Sequence, residues 1–190
     1  MRVRTVSRRR AGRFAVVALV AAFATAAVSC VPPTPVHVVD VSNPPHGVIG
    51  GLVTSNHWRQ IQTFTATRTG RLDQIDLWVQ FAGPGPLLID VHQVNGTYDI
   101  GALVGLGSRV GTDTGEVAVP LSQPAAVVAG RRYAVSLRQA EPESSGSWQL
   151  SFSASDPLPG ETMYVRHDDH PDVFPDPDYN LSLRTWVRSC

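Results

Sequence analysis

Residues 72–81 read Leu-Asp-Gln-Ile-Asp-Leu-Trp-Val-Gln-Phe, an alternation that a strand can use and a helix cannot. Ile75, Leu77, Val79 and Phe81 are apolar, and Gln74, Asp76, Trp78 and Gln80 fall between them. Successive side chains of a strand point to opposite faces, so the first set is expected to enter a core and the second to face outward. A helical period would scatter the same four apolar residues around the axis.

The same period recurs on both sides. Leu87, Ile89 and Val91 are expected inside, as are Val117, Val119 and Leu121, then Tyr133, Val135 and Leu137, then Trp148, Leu150 and Phe152, with Leu181, Leu183 and Val187 closing the core. Gly83-Pro84-Gly85-Pro86 and Asn95-Gly96 sit between runs and supply the fixed or positive φ with which strands reverse. Strands are therefore predicted near Trp58 to Ala66, Leu72 to Phe81, Leu87 to Val94, Ala102 to Arg109, Gly115 to Leu121, Arg132 to Gln139, Ser147 to Ala154, Thr162 to Arg166 and Asn180 to Arg188. The fold class that follows is all-β, an antiparallel β-sandwich of about 8–9 strands.

Ahead of this pattern lie two segments of different character. Residues 1–13 carry six arginines and no acid, and an apolar run from Phe14 to Val28 follows. A run this short that ends in small residues reads as a cleavable export signal over 1–29, since a membrane-spanning helix needs about 20 apolar residues. Ala27-Val28-Ser29-Cys30 resembles the lipobox of bacterial lipoproteins, which implies lipidation at Cys30 and a surface anchor. The alternative is ordinary cleavage and secretion, with Cys30 free to form a disulfide with Cys190, the only other cysteine. Diacylglycerol on Cys30 and a disulfide give different intact masses. Residues 30–50, rich in proline, read as a tether, or as a ragged edge strand in which Val36, Val38 and Val41 pack locally. The sandwich domain is assigned to 51–190.

Charge narrows the partners. Six of the 16 basic residues lie in the signal while all 16 acids follow Cys30, which leaves ten bases against 16 acids in the remainder. That balance argues against a nucleic-acid partner and against a membrane partner other than through a lipid anchor. Every basic residue is Arg, which excludes chemistry that needs a lysine ammonium, such as P-loop phosphate binding or Schiff-base formation.

The segments Gln62-Thr63-Phe64-Thr65-Ala66, Gly70 through Val79, Leu88-Ile89-Asp90-Val91, Val128 through Val135, and Leu181 through Val187 together resemble a β-sandwich module of exported bacterial proteins, related to the jelly-roll, galactose-binding-like group. The resemblance implies a jelly-roll-like sandwich with an accessory, sugar-binding or adhesive role, and it brings no catalytic motif.

Two clusters carry candidate chemistry. The outward set Asp76, Trp78, Gln80, His92, Arg184 and Trp186, with Asp90, has the residue types of a sugar site, in which aromatic faces stack on rings and carboxylate, amide and guanidinium groups hold hydroxyls. The alternative is that Trp78 and Trp186 are covered by the N-terminal segment or by loops. The run His167-Asp168-Asp169-His170-Pro171-Asp172, continuing to Asp176 and Asp178, suits calcium through Asp168, Asp169 and Asp172, or is a solvated acidic loop. Catalytic motifs are missing: there is no GxSxG elbow, and Gly105-Leu106-Gly107-Ser108 has the wrong spacing. Asp76 with Asp90 is the pair from which a glycosidase could be built. The function expected is thus a non-catalytic binding module for an extracellular glycan or protein, the alternatives being a structural or adhesive surface protein and a small glycan hydrolase.

Overall fold

The structure, a computed structural model, describes residues 36–46, 51–54, 57–83, 85–140, 147–154, 158–168, 173–176 and 178–189. Among them every regular element is a strand, and every strand pairing is antiparallel. There are thirteen: β1 His37–Asn43, β2 Gly51–Thr54, β3 Trp58–Thr65, β4 Gly70–Phe81, β5 Leu87–Val94, β6 Ile100–Arg109, β7 Gly115–Val127, β8 Arg132–Gln139, β9 Trp148–Ser153, β10 Met163–His167, β11 Val173–Asp176, β12 Asn180–Leu181 and β13 Leu183–Ser189. They join in the order β1-β13-β4-β7-β6-β5-β8-β3-β10-β11, with β9 bonded to β4, β2 and β12.

The expected all-β class is therefore what the chain adopts, with thirteen strands where eight or nine were expected. The additions are short pieces. β1, β2 and β11 lie where prolines and the lack of sustained alternation give no strand signal, and Ser182 divides the last strand into β12 and β13. β1 and β11 are the two ends of the main strand order, where a strand has one partner and proline is tolerated because only one edge must bond. Residues 37–43, part of the stretch read as a tether, thus form an edge strand on β13. Asn43 is buried and donates to the Leu181 carbonyl at 2.8 Å, and the Val41 amide donates to Thr185 Oγ1 at 3.0 Å. Val41 is buried as well, while Val36 is exposed.

The long strand β7 bends the sheet back on itself. It pairs with β4 from Gly70↔Val127 to Val79↔Gly115, and with β6 at Leu106↔Gln123 and Gly107↔Leu121, with register shifts in both ladders. Such bulges concentrate twist and let one sheet become two facing layers. Gly105 and Gly107 serve this approach: a methyl group at either would lie within 2.9 Å of a β7 side chain, Ala125 or Leu121. The Gly-Leu-Gly-Ser run is a packing device.

The core lies between the layers. Ile75, Leu77 and Val79 of β4 pack in one cluster with Leu87, Ile89 and Val91 of β5, Val117 and Val119 of β7, and Tyr133, Val135 and Leu137 of β8. Every residue placed inside by the alternation is buried except Phe81, which is 56% exposed. Phe81 is the last residue of β4, opposite Gln149 of β9 across a register shift, so the alternation no longer aims it into the core. At the other side, Tyr133 is buried and its hydroxyl accepts from the Val128 amide at 3.0 Å. This holds the turn into β8, whose Gly130 has φ of 79°, a conformation that glycine adopts without a Cβ penalty.

Candidate functional site

The outer faces of the two layers present different chemistry. On the first layer, cross-strand register places Arg184 of β13 opposite Asp76 of β4, Trp186 opposite Gln74, and Trp78 opposite Glu116 of β7. The Arg184 guanidinium carbon lies 5.3 Å from the Trp78 ring centre and 5.9 Å from that of Trp186. Its Nη1 is bonded to Glu116 and lies 3.6 Å from Asp76. The Trp186 indole N–H donates to Asp76, and Gln74 donates to its other oxygen at 2.7 Å. The His37 ring of β1 lies 4.9 Å from Trp186.

Asp76, Trp78, Arg184 and Trp186 are thus brought together as the alternation expected, and Gln80 continues the same face of β4. Two corrections follow. Asp76 does face outward from the core but is only 3% exposed, because Arg184, Trp186 and Gln74 cover it. The half-buried tryptophans have their own arginine and histidine as ring partners, so their stacking capacity is engaged within the chain.

The third correction concerns His92, which belongs with none of these. It lies on β5, three strands along the sheet from β4, where its Nδ1 is 3.2 Å from the Gly101 carbonyl. Asp90, two residues before it, projects from the outer face of the second layer. The core separates Asp90 from Asp76, and among the described residues they share no partner: Asp90 Oδ2 lies 3.4 Å from Arg59 and 3.9 Å from Arg138.

That second face carries a cleft of about 420 Å³, lined by Arg59, Ile100, Arg166 and Asp168. The rows around it follow from register. Arg166 of β10 is directly opposite Arg59 of β3, and the Gln60↔Leu137 pair puts Arg59 across from Arg138 of β8. In the next row Asp90 is opposite Ser136, Ser136 opposite Ile61, and Ile61 opposite Tyr164. Ile61, Ala134 and Tyr164 form a small second apolar cluster with Val94, Ile100 and Val173 packed on it. Tyr98, 40% exposed, meets Tyr164 edge to face at 5.5 Å.

None of Arg59, Ser136, Arg138 or Arg166 was singled out by the sequence. Each is an ordinary polar member of an alternating strand; of the residues that the sequence singled out, Asp90 and Asp168 belong to this arrangement.

Burial pushes the Tyr164 phenol up to about 12 from its ordinary 10.0, with the nearby Arg166 charge acting in the opposite direction. The neutral phenol is the form the fold prefers. Stability is therefore unaffected below pH 10 and falls between about pH 10 and 12, where the unfolded chain releases this proton and the folded chain keeps it. Denaturant midpoints measured across that window should decline less steeply in Tyr164→Phe than in the wild type. Equal slopes would show that Tyr164 is not the linked group.

Of the metal candidates, Asp168 is exposed and bonded to Arg59 Nε, and its amide donates to the His57 carbonyl at 2.9 Å. Asp169 and Asp172 lie outside the described residues, as do Cys30 and Cys190. Among the described residues no group of three or more His, Cys, Asp or Glu side chains is placed to hold a metal ion. A carboxylate paired to an arginine is a poor cation ligand, because the guanidinium offsets its charge and takes one of its oxygens, here Oδ1.

No family model matches the chain, and neither a curated protein nor a solved structure matches it significantly.

Proposed function

We propose that this chain is an exported, non-catalytic binding module that engages an extracellular glycan or surface protein through the outer face of its second layer. The observation that carries this reading is the cleft on that face, where the side chains of Arg59, Arg166 and Asp168 converge beside Ile100. Its volume is in the usual range of small-ligand sites, about 300–1,000 Å³, and a few convergent polar groups beside apolar ones are what such sites use for orientation. The non-catalytic part rests on the separation of Asp76 from Asp90, each held by its own arginines on opposite faces. Two carboxylates must flank one scissile bond to hydrolyse a glycoside.

Within this reading the sandwich is of the jelly-roll, galactose-binding-like kind, residues 1–29 direct export, and Cys30 carries a lipid anchor or is left unmodified in a secreted chain. The reading is tested by titrating the chain against a panel of extracellular polysaccharides. Binding should survive Trp78→Ala and Trp186→Ala and weaken about tenfold or more in Asp168→Ala. A chain that binds no member of the panel would sink the glycan form of the proposal. One observation favours a structural or adhesive protein without a discrete pocket: Arg184 and His37 lie against the aromatic rings of the first face. Under that reading Asp168→Ala would leave every binding property unchanged.

A further inference from the structure

Three guanidinium groups in one lateral row are an unusual arrangement for adjacent strands, since like charges directly opposite destabilise a sheet. Arg138, Arg59 and Arg166 occupy such a row on β8, β3 and β10. Two carboxylates hold it together: Asp90 lies between Arg59 and Arg138, and Asp168 is bonded to Arg59 Nε. Neither carboxylate is paired with Arg166, which has no hydrogen-bond or ion-pair partner among the described residues and whose side chain lines the cleft.

A second observation lies in the adjoining row. Ser136 is fully buried, between Asp90 and Ile61, and among the described residues its hydroxyl has no partner; the Nε of Arg138 is likewise buried without a hydrogen bond. Buried polar atoms are nearly always satisfied, by water or ligand where the protein supplies nothing. Unpaired polar capacity therefore gathers in two adjoining rows of this face, and of these groups Arg166 lines the cleft itself.

We propose that this cleft is a subsite for the carboxylate of an acidic sugar, a uronate, with Arg166 as its principal charge partner. The assignment rests on the glycan form of the function proposed above. Arginine presents a planar fork that takes a carboxylate through two parallel N–H donors, which a neutral hydroxyl cannot match. The neighbouring carboxylate of Asp168 is a suitable acceptor for ring hydroxyls, and the exposed Tyr98 meets Tyr164, on whose apolar cluster the cleft residue Ile100 packs. Donors and an acceptor in one site fit a sugar acid better than a peptide terminus, which would leave the hydroxyl acceptor unused.

The test compares glucuronate with glucose, which share a ring and differ at the carboxylate, by calorimetric titration of the full chain at low and moderate salt. Glucuronate should bind at least about tenfold more tightly than glucose, as a charge-assisted hydrogen bond to a carboxylate requires. Arg166→Gln should remove that preference, Arg166→Lys should keep part of it, and added salt should weaken it. The Arg166 side chain is partly exposed and has no hydrogen-bond or ion-pair partner among the described residues, so both variants are expected to keep the wild-type thermal midpoint. Equal binding of the two sugars would overturn the carboxylate subsite while leaving a neutral-glycan module intact. Binding of neither sugar would overturn it too. An N-acetylated dipeptide that binds as tightly as glucuronate, and equally through Arg166, would overturn the sugar assignment in favour of a peptide carboxylate.

Discussion

Replacing Trp148 with alanine is expected to destabilise the domain by about 3–5 kcal/mol, the range for deleting a buried large aromatic side chain. Trp148 opens β9 and is 1% exposed. Its indole packs so closely on the turn between β4 and β5 that a methyl group at Gly83 would lie 2.9 Å from Cδ1. The indole N–H donates to the Gly85 carbonyl at 2.7 Å. One side chain thus joins β9 to the turn that carries the chain from the first layer to the second. In a domain of this size each kcal/mol moves the midpoint by roughly 2–4 °C, so a loss of about 6–20 °C should be read by thermal unfolding. Trp148→Phe keeps most of the packing and loses the hydrogen bond, and a cost near 1 kcal/mol is expected. A Trp148→Ala chain with an unchanged midpoint would show that the turn is held by something else.

The second large effect belongs to a buried amide. Gln62 of β3 is fully buried, donates through Nε2 to Asn180 Oδ1 at 2.9 Å and to the Thr63 carbonyl at 3.0 Å, and accepts from the Leu181 amide at 2.8 Å. It ties β3 of one layer to β12, which is bonded through β9 to the other. Gln62→Leu preserves the volume approximately and strands the Leu181 amide and the Asn180 carbonyl without this partner. Each unsatisfied buried group costs about 1–3 kcal/mol, so a total of about 2–6 kcal/mol should appear in the urea midpoint. The companion variant Asn180→Leu should be non-additive with it, because the two share one network. Strict additivity would contradict the coupling.

These two residues also show where sequence reading stops. Trp148 was legible as core, since it alternates with Leu150 and Phe152. Gln62 was not, because a glutamine on the inward parity of β3 looks like a break in the pattern until Asn180 and Leu181, over a hundred residues later, satisfy it. Gln60 on the same strand is buried likewise. The missed strands have a related cause. β1 and β11 are held largely by bonds to a neighbour's free edge, a stabilisation that leaves little period in their own residues.

The candidate sites divide in the same way. Alternation correctly told that Asp76, Trp78, Arg184 and Trp186 leave the core on one side of their strands, and register then made them neighbours. It grouped His92 with them because a period of two states which face of its own strand a residue occupies and nothing about which layer that strand joins. Arg59, Arg138 and Arg166 are separated by 79 and 28 residues in sequence and lie in one row only through two strand registers.

What the sequence by itself determined is local: the all-β class, the inward set of nearly every major strand, and the glycine and proline turns, because backbone sterics and side-chain period act over a few neighbouring residues. The tertiary structure alone decided which outer faces lie side by side, that the tryptophan face is closed by Arg184 and His37, and that the open cleft is the arginine row on the other layer. Those outcomes depend on strand order and on bulges that shift register, and these are set by the packing of the whole sheet around one core.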